Sequence, residues 1–399
     1  MTMRISTAGL HMQGLTALLN RQQELSKLQQ QMTTGNKLST AAVDPAGAAH
    51  AQRLDHAVAT LEHYDRNASL LENRLGQQEE SLRDAGDYLS RVRELTVQAN
   101  TSTMSFEDRK VIALEVKHIR EQMLSIANRE DGNGRSLFAG QRDGVTPFSD
   151  TGGVIAYAGD DGQNRVDVAP DLALTDNEPG SAIFMRVRTG DGEVRGSAPS
   201  TNAGSIVVQT TSIADHATWP GEYLRLEFTA PNTYQLVRAD NSVVSSGAYA
   251  PGDTLNLAGL QVRLSGTPVT GDTVDLEPAP NRDVFTTLKN LVDALEAPAV
   301  TTSERTKLQN SLNGSLGDIA TAQEHFFTVR SAGGAKLSSL SSSADTRDAQ
   351  NISLRATLSE LRDVDYAQAA SQLSLHLTAI EAAQKTMLRV QGSTLFDKL

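Results

Sequence analysis

The chain has 399 residues, with 36 Lys plus Arg against 48 Asp plus Glu, a formal net charge of −12. That balance argues against nucleic acid as the main partner. The lack of cysteine excludes disulfides and thiol chemistry, and no apolar run approaches the roughly 18 residues of a membrane span.

The N-terminus lacks an apolar h-region and a small-residue cleavage site, so no cleaved secretory signal is expected. Residues 1–34 carry Ile5, Ala8, Met12, Leu15, Leu18, Leu25, Leu28 and Met32 at helical spacing, one apolar stripe with a polar back. Thr33-Thr34-Gly35-Asn36 stops that helix. Pro45, after Val43-Asp44, is set to open the next, which is predicted from about Ala46 to about Asn100. Its heptads are regular: one seam holds Leu54, Leu61, Ala68, Leu75, Leu82, Leu89 and Thr96, the other Ala57, Tyr64, Leu71, Gln78, Ala85, Val92 and Ala99. Such a run predicts a coiled-coil rod, roughly 80 Å long at ~1.5 Å per residue. Gly76 and Gly86 weaken it locally by about 1 kcal/mol each. Ser105 is placed as the N-cap of a third helix, with Glu107 and Asp108 in the first turn. That helix continues through Ile112, Val116, Ile119, Met123 and Ile126 and ends by Asp131-Gly132-Asn133-Gly134.

From Arg135 to about Ala279 the helical period disappears and Gly, Pro, Thr, Asp and Asn become dense. Leu224, Leu226 and Phe228 alternate strictly with Arg225, Glu227 and Thr229, a strand with one buried face. Leu255 with Leu257, and Val262 with Leu264, repeat the pattern. Further strands are predicted at Ile155–Tyr157, Val166–Val168, Ile183–Val187, Ile206–Thr210 and Tyr234–Val237, with turns at Pro231-Asn232 and Asp240-Asn241. Residues 181–280 are expected to form one sandwich-like or barrel-like domain, and residues 135–180 hairpins lying on the rod.

The helical pattern resumes at Asp283 with Val284, Leu288, Leu291 and Leu295, and stops before Pro298. Thr301 and Glu304 make a capping box for a long stripe through Leu308, Leu312, Leu316, Ile319, Phe326, Leu337 and Leu340. Gly333-Gly334 and the serine cluster 338–343 are expected to kink or loosen it. Leu354, Leu358 and Leu361 lead into the tail, whose stripe is Tyr366, Ala369, Leu373, Leu377, Ile380, Ala383, Met387 and Val390. The expected organisation is α+β and multidomain: a terminal helical coiled-coil pair (1–38 with 365–399), a helical-bundle rod with β-hairpins (39–180 with 281–364) and an inserted all-β domain (181–280).

A fully buried large apolar side chain stabilises by roughly 1.5–3 kcal/mol, and ordering each backbone residue costs roughly 1–2 kcal/mol. A stripe that fills one position in three or four leaves a lone pair of such helices marginal. The two ends are therefore expected to become stable on copies of themselves or on a relative; the competing reading is an ordinary helical pair docked on its own domain. The candidate assembly interface is Ile5, Met12, Leu15, Leu18, Leu25, Leu28, Met32, Tyr366, Leu373, Leu377, Ile380, Met387 and Val390.

No catalytic, cofactor or metal constellation stands out. His56 and His63 share a helical face, but zinc needs a third ligand, so a solvated face is the reading. Asp131-Gly132-Asn133-Gly134 and Asp160-Asp161-Gly162 lack the acid spacing and closing Glu of calcium loops and read as turns. Asn-x-Ser/Thr at Asn67, Asn100, Asn313 and Asn351 is within what chance supplies.

Several short stretches carry a resemblance. Met3-Arg4-Ile5-Ser6-Thr7, Gln31-Met32-Thr33-Thr34-Gly35, and Asp44-Pro45 with Ala48 resemble the N-terminal part of the flagellar hook-associated protein 3 family, in the flagellin superfamily. So do Asp131-Gly132-Asn133-Gly134-Arg135-Ser136-Leu137-Phe138-Ala139-Gly140, the run Asp363-Val364-Asp365-Tyr366-Ala367, and Gln391-Gly392-Ser393-Thr394-Leu395-Phe396. The resemblance covers roughly residues 1–180 and 283–399. It departs from the family where Val43, rather than an acid, precedes Asp44, and in the size of the β insertion. Gly252-Asp253, Ser265-Gly266-Thr267-Pro268 and Gly271-Asp272-Thr273 look similar to inserts of other hook-associated proteins.

The resemblance implies a structural subunit of the bacterial flagellum, not an enzyme and with no cofactor. It would form a ring of copies of itself at the hook end, between hook-associated protein 1 and flagellin. It would be exported through the flagellar type III apparatus, with an export chaperone on the C-terminal helix at Leu373, Leu377, Ile380 and Met387. Neither nucleic acid nor membrane is an expected partner. Two rivals stand beside it: a flagellin filament subunit, and an extracellular binding protein acting through the β domain.

Overall fold

A computed structural model describes residues 7–38, 42, 44–101 and 104–392. The Cα packing separates two compact units, residues 1–66 with 343–399 and residues 67–342. Among the described residues the helices are α1 (Thr7–Thr34), α2 (Pro45–Ala99), α3 (Phe106–Ala127), α4 (Val284–Glu296), α5 (Thr302–Arg362) and α6 (Tyr366–Gly392). Two hairpins, β1 (Phe148–Thr151) with β2 (Val154–Tyr157) and β3 (Arg165–Ala169) with β4 (Leu172–Thr175), follow α3. The insertion holds β5 (Val187–Arg188), β6 (Val194–Ser197), β7 (Val207–Ile213), β8 (Leu224–Ala230), β9 (Thr233–Arg238), β10 (Val243–Ala248), β11 (Thr254–Leu257), β12 (Leu260–Ser265), β13 (Thr273–Pro278) and β14 (Asn281–Arg282).

The helix boundaries follow local chemistry. Asp44 Oδ1 accepts the Gly47 amide at 2.9 Å and caps α2, with Pro45 in its first turn. Ser105 Oγ accepts the Asp108 amide at 3.1 Å. The capping box forms in full: Glu304 N donates to Thr301 Oγ1 at 3.2 Å, and Thr301 N to Glu304 Oε2 at 2.8 Å. The hydrogen bond from the Thr301 amide, above all, holds the Glu304 carboxyl below its usual range.

In the central unit, residues 67–342, every seam position of α2 is buried: Ala68, Leu71, Leu75, Gln78, Leu82, Ala85, Leu89, Val92, Thr96 and Ala99. The C-terminal half of α2 joins α3, α4 and α5 in one core through Leu89, Val116, Met123, Leu288, Leu291 and Ile319. Phe184 is the hub of an aromatic cluster, its ring centroid 5.3 Å from Phe138, 5.5 Å from Phe148 and from Phe326, and 6.0 Å from Phe285. Scarce aromatics are thus concentrated where α3, α4, α5 and the hairpins converge. Hairpin β3–β4 lies on the helices, with Val168 among Ala68, Leu71, Leu75 and Leu340.

The strand predicted at Ile183–Val187 is instead a π turn, Ser181–Met185, followed by the short β5. Ile183 and Phe184 are both buried, which alternation along a strand does not allow when one face is solvated. Gly333-Gly334 and the serine cluster do not break α5; the helix is continuous from Thr302 to Arg362. Ion pairs fix it on both sides of Gly333-Gly334: Arg330 to Glu79 and Lys336 to Glu178, each at 2.7 Å.

The insertion is an antiparallel sandwich. A five-stranded sheet of order β10-β9-β8-β13-β6 faces a three-stranded sheet, β11-β12-β7. Leu224, Leu226, Phe228, Val274 and Leu276 from the first meet Leu257, Leu260, Val262 and Leu264 from the second. Strand β7 is an edge, and α5 covers it. Asn310 Oδ1 accepts the Val208 amide and its Nδ2 donates to Ile206 O, both at 2.9 Å, while Asn313 Nδ2 donates to Val208 O at 3.1 Å. The two amides take the place of a neighbouring strand. Beside them the buried Asp318 accepts from the Gly190 amide and from Arg282, both at 2.8 Å, and forms an ion pair with Arg195 at 3.0 Å.

Candidate assembly interface

In the terminal unit α1 and α6 pack against each other. Asp365 starts α6, its Oδ1 accepting the amides of Ala367 at 2.9 Å and Gln368 at 3.0 Å. Tyr366 OH donates to Met32 O at 3.2 Å, and His376 Nδ1 lies 3.7 Å from Glu24 Oε2. Each step back along α1 is matched by a step forward along α6, so the pair is antiparallel. The α2 and α5 segments of this unit are joined by ion pairs, Arg355 to Glu62 at 2.7 Å and Arg362 to Asp55.

The candidate residues divide into two sets. Leu28 and Ile380 are buried, and Leu18, Leu25, Met32, Leu373 and Met387 are half-buried. These form the seam of the pair, together with the buried Ala369. Met12 is 69% exposed, Tyr366 55%, and Leu15 and Leu377 45% each. Ile5 and the side chain of Val390 lie outside the described residues. Three further exposed leucines were not in the sequence-derived set: Leu19, Leu375 and Leu388. The signal for two of them is a doubled apolar residue, Leu18-Leu19 and Met387-Leu388, which widens a single stripe onto a second face. Met12, Leu15 and Leu19 follow at i, i+3 and i+7 on one face. Tyr366, Leu377 and Leu388 recur every eleven residues, about three turns, along the flank of the seam. The pair therefore consumes part of its apolar surface and turns the rest to solvent.

The turn motifs of the sequence prove to be scaffolding. Asp131 Oδ1 accepts the amides of Asn133 at 2.8 Å and Arg135 at 3.0 Å, and Asp160 Oδ1 those of Gln141 at 2.8 Å and Gly162 at 2.9 Å. Both are turns closed by side-chain acceptors. Between them Leu137, Phe138 and Ala139 are fully buried, and the carbonyls of this buried loop are matched one by one. Arg74 donates to Ser136 O, Gln78 to Leu137 O, the Gly180 amide and Tyr157 OH to Phe138 O, the Asp160 amide to Ala139 O and Asn177 to Gly140 O. A groove of about 700 Å³ runs beside β6, β7 and α5, lined by Arg195, Asn310 and Asp318, whose polar groups already serve the fold.

These features define a class: a helical subunit whose first and last described helices pair and keep apolar side chains exposed. A family model described as the bacterial flagellin N-terminal helical region matches residues 5–143. Flagellar hook-associated protein 3 of Salmonella typhimurium is 26% identical over 395 residues, 99% of each chain. The crystal structure of Xanthomonas campestris FlgL is 40% identical with a TM-score of 0.72, covering 77% of this chain and 99% of that one. The hook-associated protein 3 structure from Legionella pneumophila is 26% identical with a TM-score of 0.75, covering 78% of this chain and 98% of that one. The chain belongs to the flagellar hook-associated protein 3 (FlgL) family. It is a structural component of the bacterial flagellum and not an enzyme.

Proposed function

We propose that this protein is the subunit that joins hook to filament, docking through its terminal helices on hook-associated protein 1 below, on copies of itself in a ring, and on flagellin above. One observation carries the reading: the α1–α6 pair leaves Met12, Leu15, Leu19, Tyr366, Leu377 and Leu388 exposed along its length. Apolar side chains in such rows are covered in the working state of a protein. The seam residues Leu18, Leu25, Leu28, Met32, Leu373, Ile380 and Met387 hold the pair, and the exposed rows meet the neighbours.

Before assembly the seam face of α6 has a second use. Leu373, Ile380 and Met387 on that face, with the exposed Leu377 on its flank, offer a spaced row of anchors to an export chaperone, which takes the place of α1 until the chain has been secreted. Chaperone and α1 thus compete for one face, and folding of the pair releases the chaperone.

The test is a double variant, Leu15→Asp with Leu388→Asp. Both positions are exposed, so the unfolding temperature of the purified monomer stays within a few degrees of the parent's. Electron micrographs of cells carrying it are expected to show hooks without filaments, with flagellin shed into the medium. Full-length filaments on those hooks would remove the proposal. Ile380→Asp should instead split the helix pair and abolish chaperone co-purification.

A further inference from the structure

Both chain connections between the terminal helix pair and the α2–α5 pair pass through one short antiparallel ribbon. Asn36 and Asp363 form an isolated β-bridge. Around it the Lys37 amide donates to Arg362 O at 2.6 Å and the Val364 amide to Gly35 O at 2.9 Å. Helical side chains reinforce the ribbon. Gln31 Nε2 donates to Lys37 O at 2.8 Å, and Ser359 Oγ to Asp363 Oδ2 at 2.5 Å. Gly35 enters the ribbon at φ 71°, the left-handed region that a side chain rarely adopts, and a Cβ there would lie 3.3 Å from the Tyr366 hydroxyl.

A loop that only had to span from α1 to α2 would not need to be hydrogen-bonded to the connection between α5 and α6. We infer that this ribbon is a clamp: it ties the two crossovers together so that α1 and α6 reorient as one body about Gly35 and residues 363–365, with their register preserved. The arrangement has a mechanical consequence. If each helix had its own free linker, one could slide or detach while the other stayed, and the exposed rows on α1 and α6 would lose their relative alignment. With the crossovers bonded, a change of backbone angles at this level tilts both rows together. This inference extends the assembly reading above, because it assigns the terminal pair a single adjustable orientation toward its neighbours.

The chain has no cysteine, so a pair introduced at the bridge reports cleanly. Facing residues of an antiparallel bridge have Cα atoms about 4.5–5.5 Å apart, inside the roughly 4.4–6.8 Å that a disulfide spans. The purified full chain carrying Asn36→Cys and Asp363→Cys is expected to close an intramolecular disulfide under mild oxidation. Added to isolated hooks that carry hook-associated protein 1, its oxidised form is expected to bind as well as its reduced form. Loss of binding on oxidation, restored by reductant, would mean that the ribbon opens during assembly and would overturn the clamp. Failure of wild-type chain to bind would instead count against the assembly reading.

Amide exchange on the unmodified monomer tests the clamp without any assembly. The Lys37 and Val364 amides are expected to exchange at least about tenfold more slowly than in an unstructured peptide. Exchange at the free-peptide rate would overturn the clamp whatever the cross-linked chain does.

Discussion

Tyr157 shows how one side chain can hold a buried loop. Its hydroxyl lies 3.0 Å from Phe138 O and 2.9 Å from Asp160 O, and burial pushes its pKa from 10.0 up to about 12. Tyr249, bonded to Gly266 O at 2.8 Å, is likewise pushed up to about 12 by burial. For both, folding favours the neutral phenol. Their contribution is complete below pH 10 and is lost as the pH climbs from 10 toward 12. Urea midpoints measured across that window should fall, and Tyr157→Phe should flatten part of the decline while lowering stability at pH 7 by about 1–2 kcal/mol. Gly140, in the same loop, has φ 71°, and a Cβ there would run into the Asp160 carbonyl. Gly140→Ala should destabilise by at least about 2 kcal/mol, read as a drop of several degrees in the unfolding temperature.

Helix α5 acts at once as a core helix, a strand substitute and a clasp for the sandwich. Asn310 and Asn313 cover the edge of β7, and Asp318 gathers Arg195, Arg282 and the Gly190 amide. Removing the Asn310 amide leaves Val208 N and Ile206 O without those partners, at a cost of about 1–3 kcal/mol. Asn310→Ala should therefore lower the urea midpoint and, because an uncovered edge pairs with other chains, increase light scattering on mild heating. Gly333 and Gly334 behave oppositely. Nothing lies within 4 Å of a Cβ built at either, and both sit in continuous helix. Gly333→Ala with Gly334→Ala should stabilise by roughly 0.5–1 kcal/mol each, a rise in the unfolding temperature that calorimetry would detect.

At the scale of the whole molecule the two ends contrast with the middle. The central unit buries long runs of Leu, Val, Ile and Phe, whereas on α1 and α6 Leu28, Ala369 and Ile380 are the described residues that are buried. Stability follows burial, so the terminal pair opens locally at low free energy. Trypsin added to dilute monomer should cut first at Arg21 and Lys27 in α1 and at Lys385 and Arg389 in α6, leaving residues of the central unit intact in the earliest fragments seen by mass spectrometry. Incorporation into flagella should protect the same sites. An isolated monomer whose ends resist as long as its centre would contradict the picture of helices completed by their neighbours.

The helices, their caps and the heptad seams of α2 were legible in the residues alone, because periodicity and capping are local: an N-cap or capping box acts within one turn, and an apolar residue every three or four positions leaves few choices. The alternation of Leu224, Leu226 and Phe228 declared a strand for the same reason. The π turn at Phe184, the unbroken run of α5 through Gly333-Gly334 and the covering of β7 by Asn310 depended on residues far apart in the chain, and no local pattern carries that information. The same limit governs the terminal stripes. Their apolar positions are written in the sequence, but only packing α1 against α6 decides which of them, such as Leu28 and Ile380, are consumed within the molecule and which, such as Leu15 and Leu377, are left for another one.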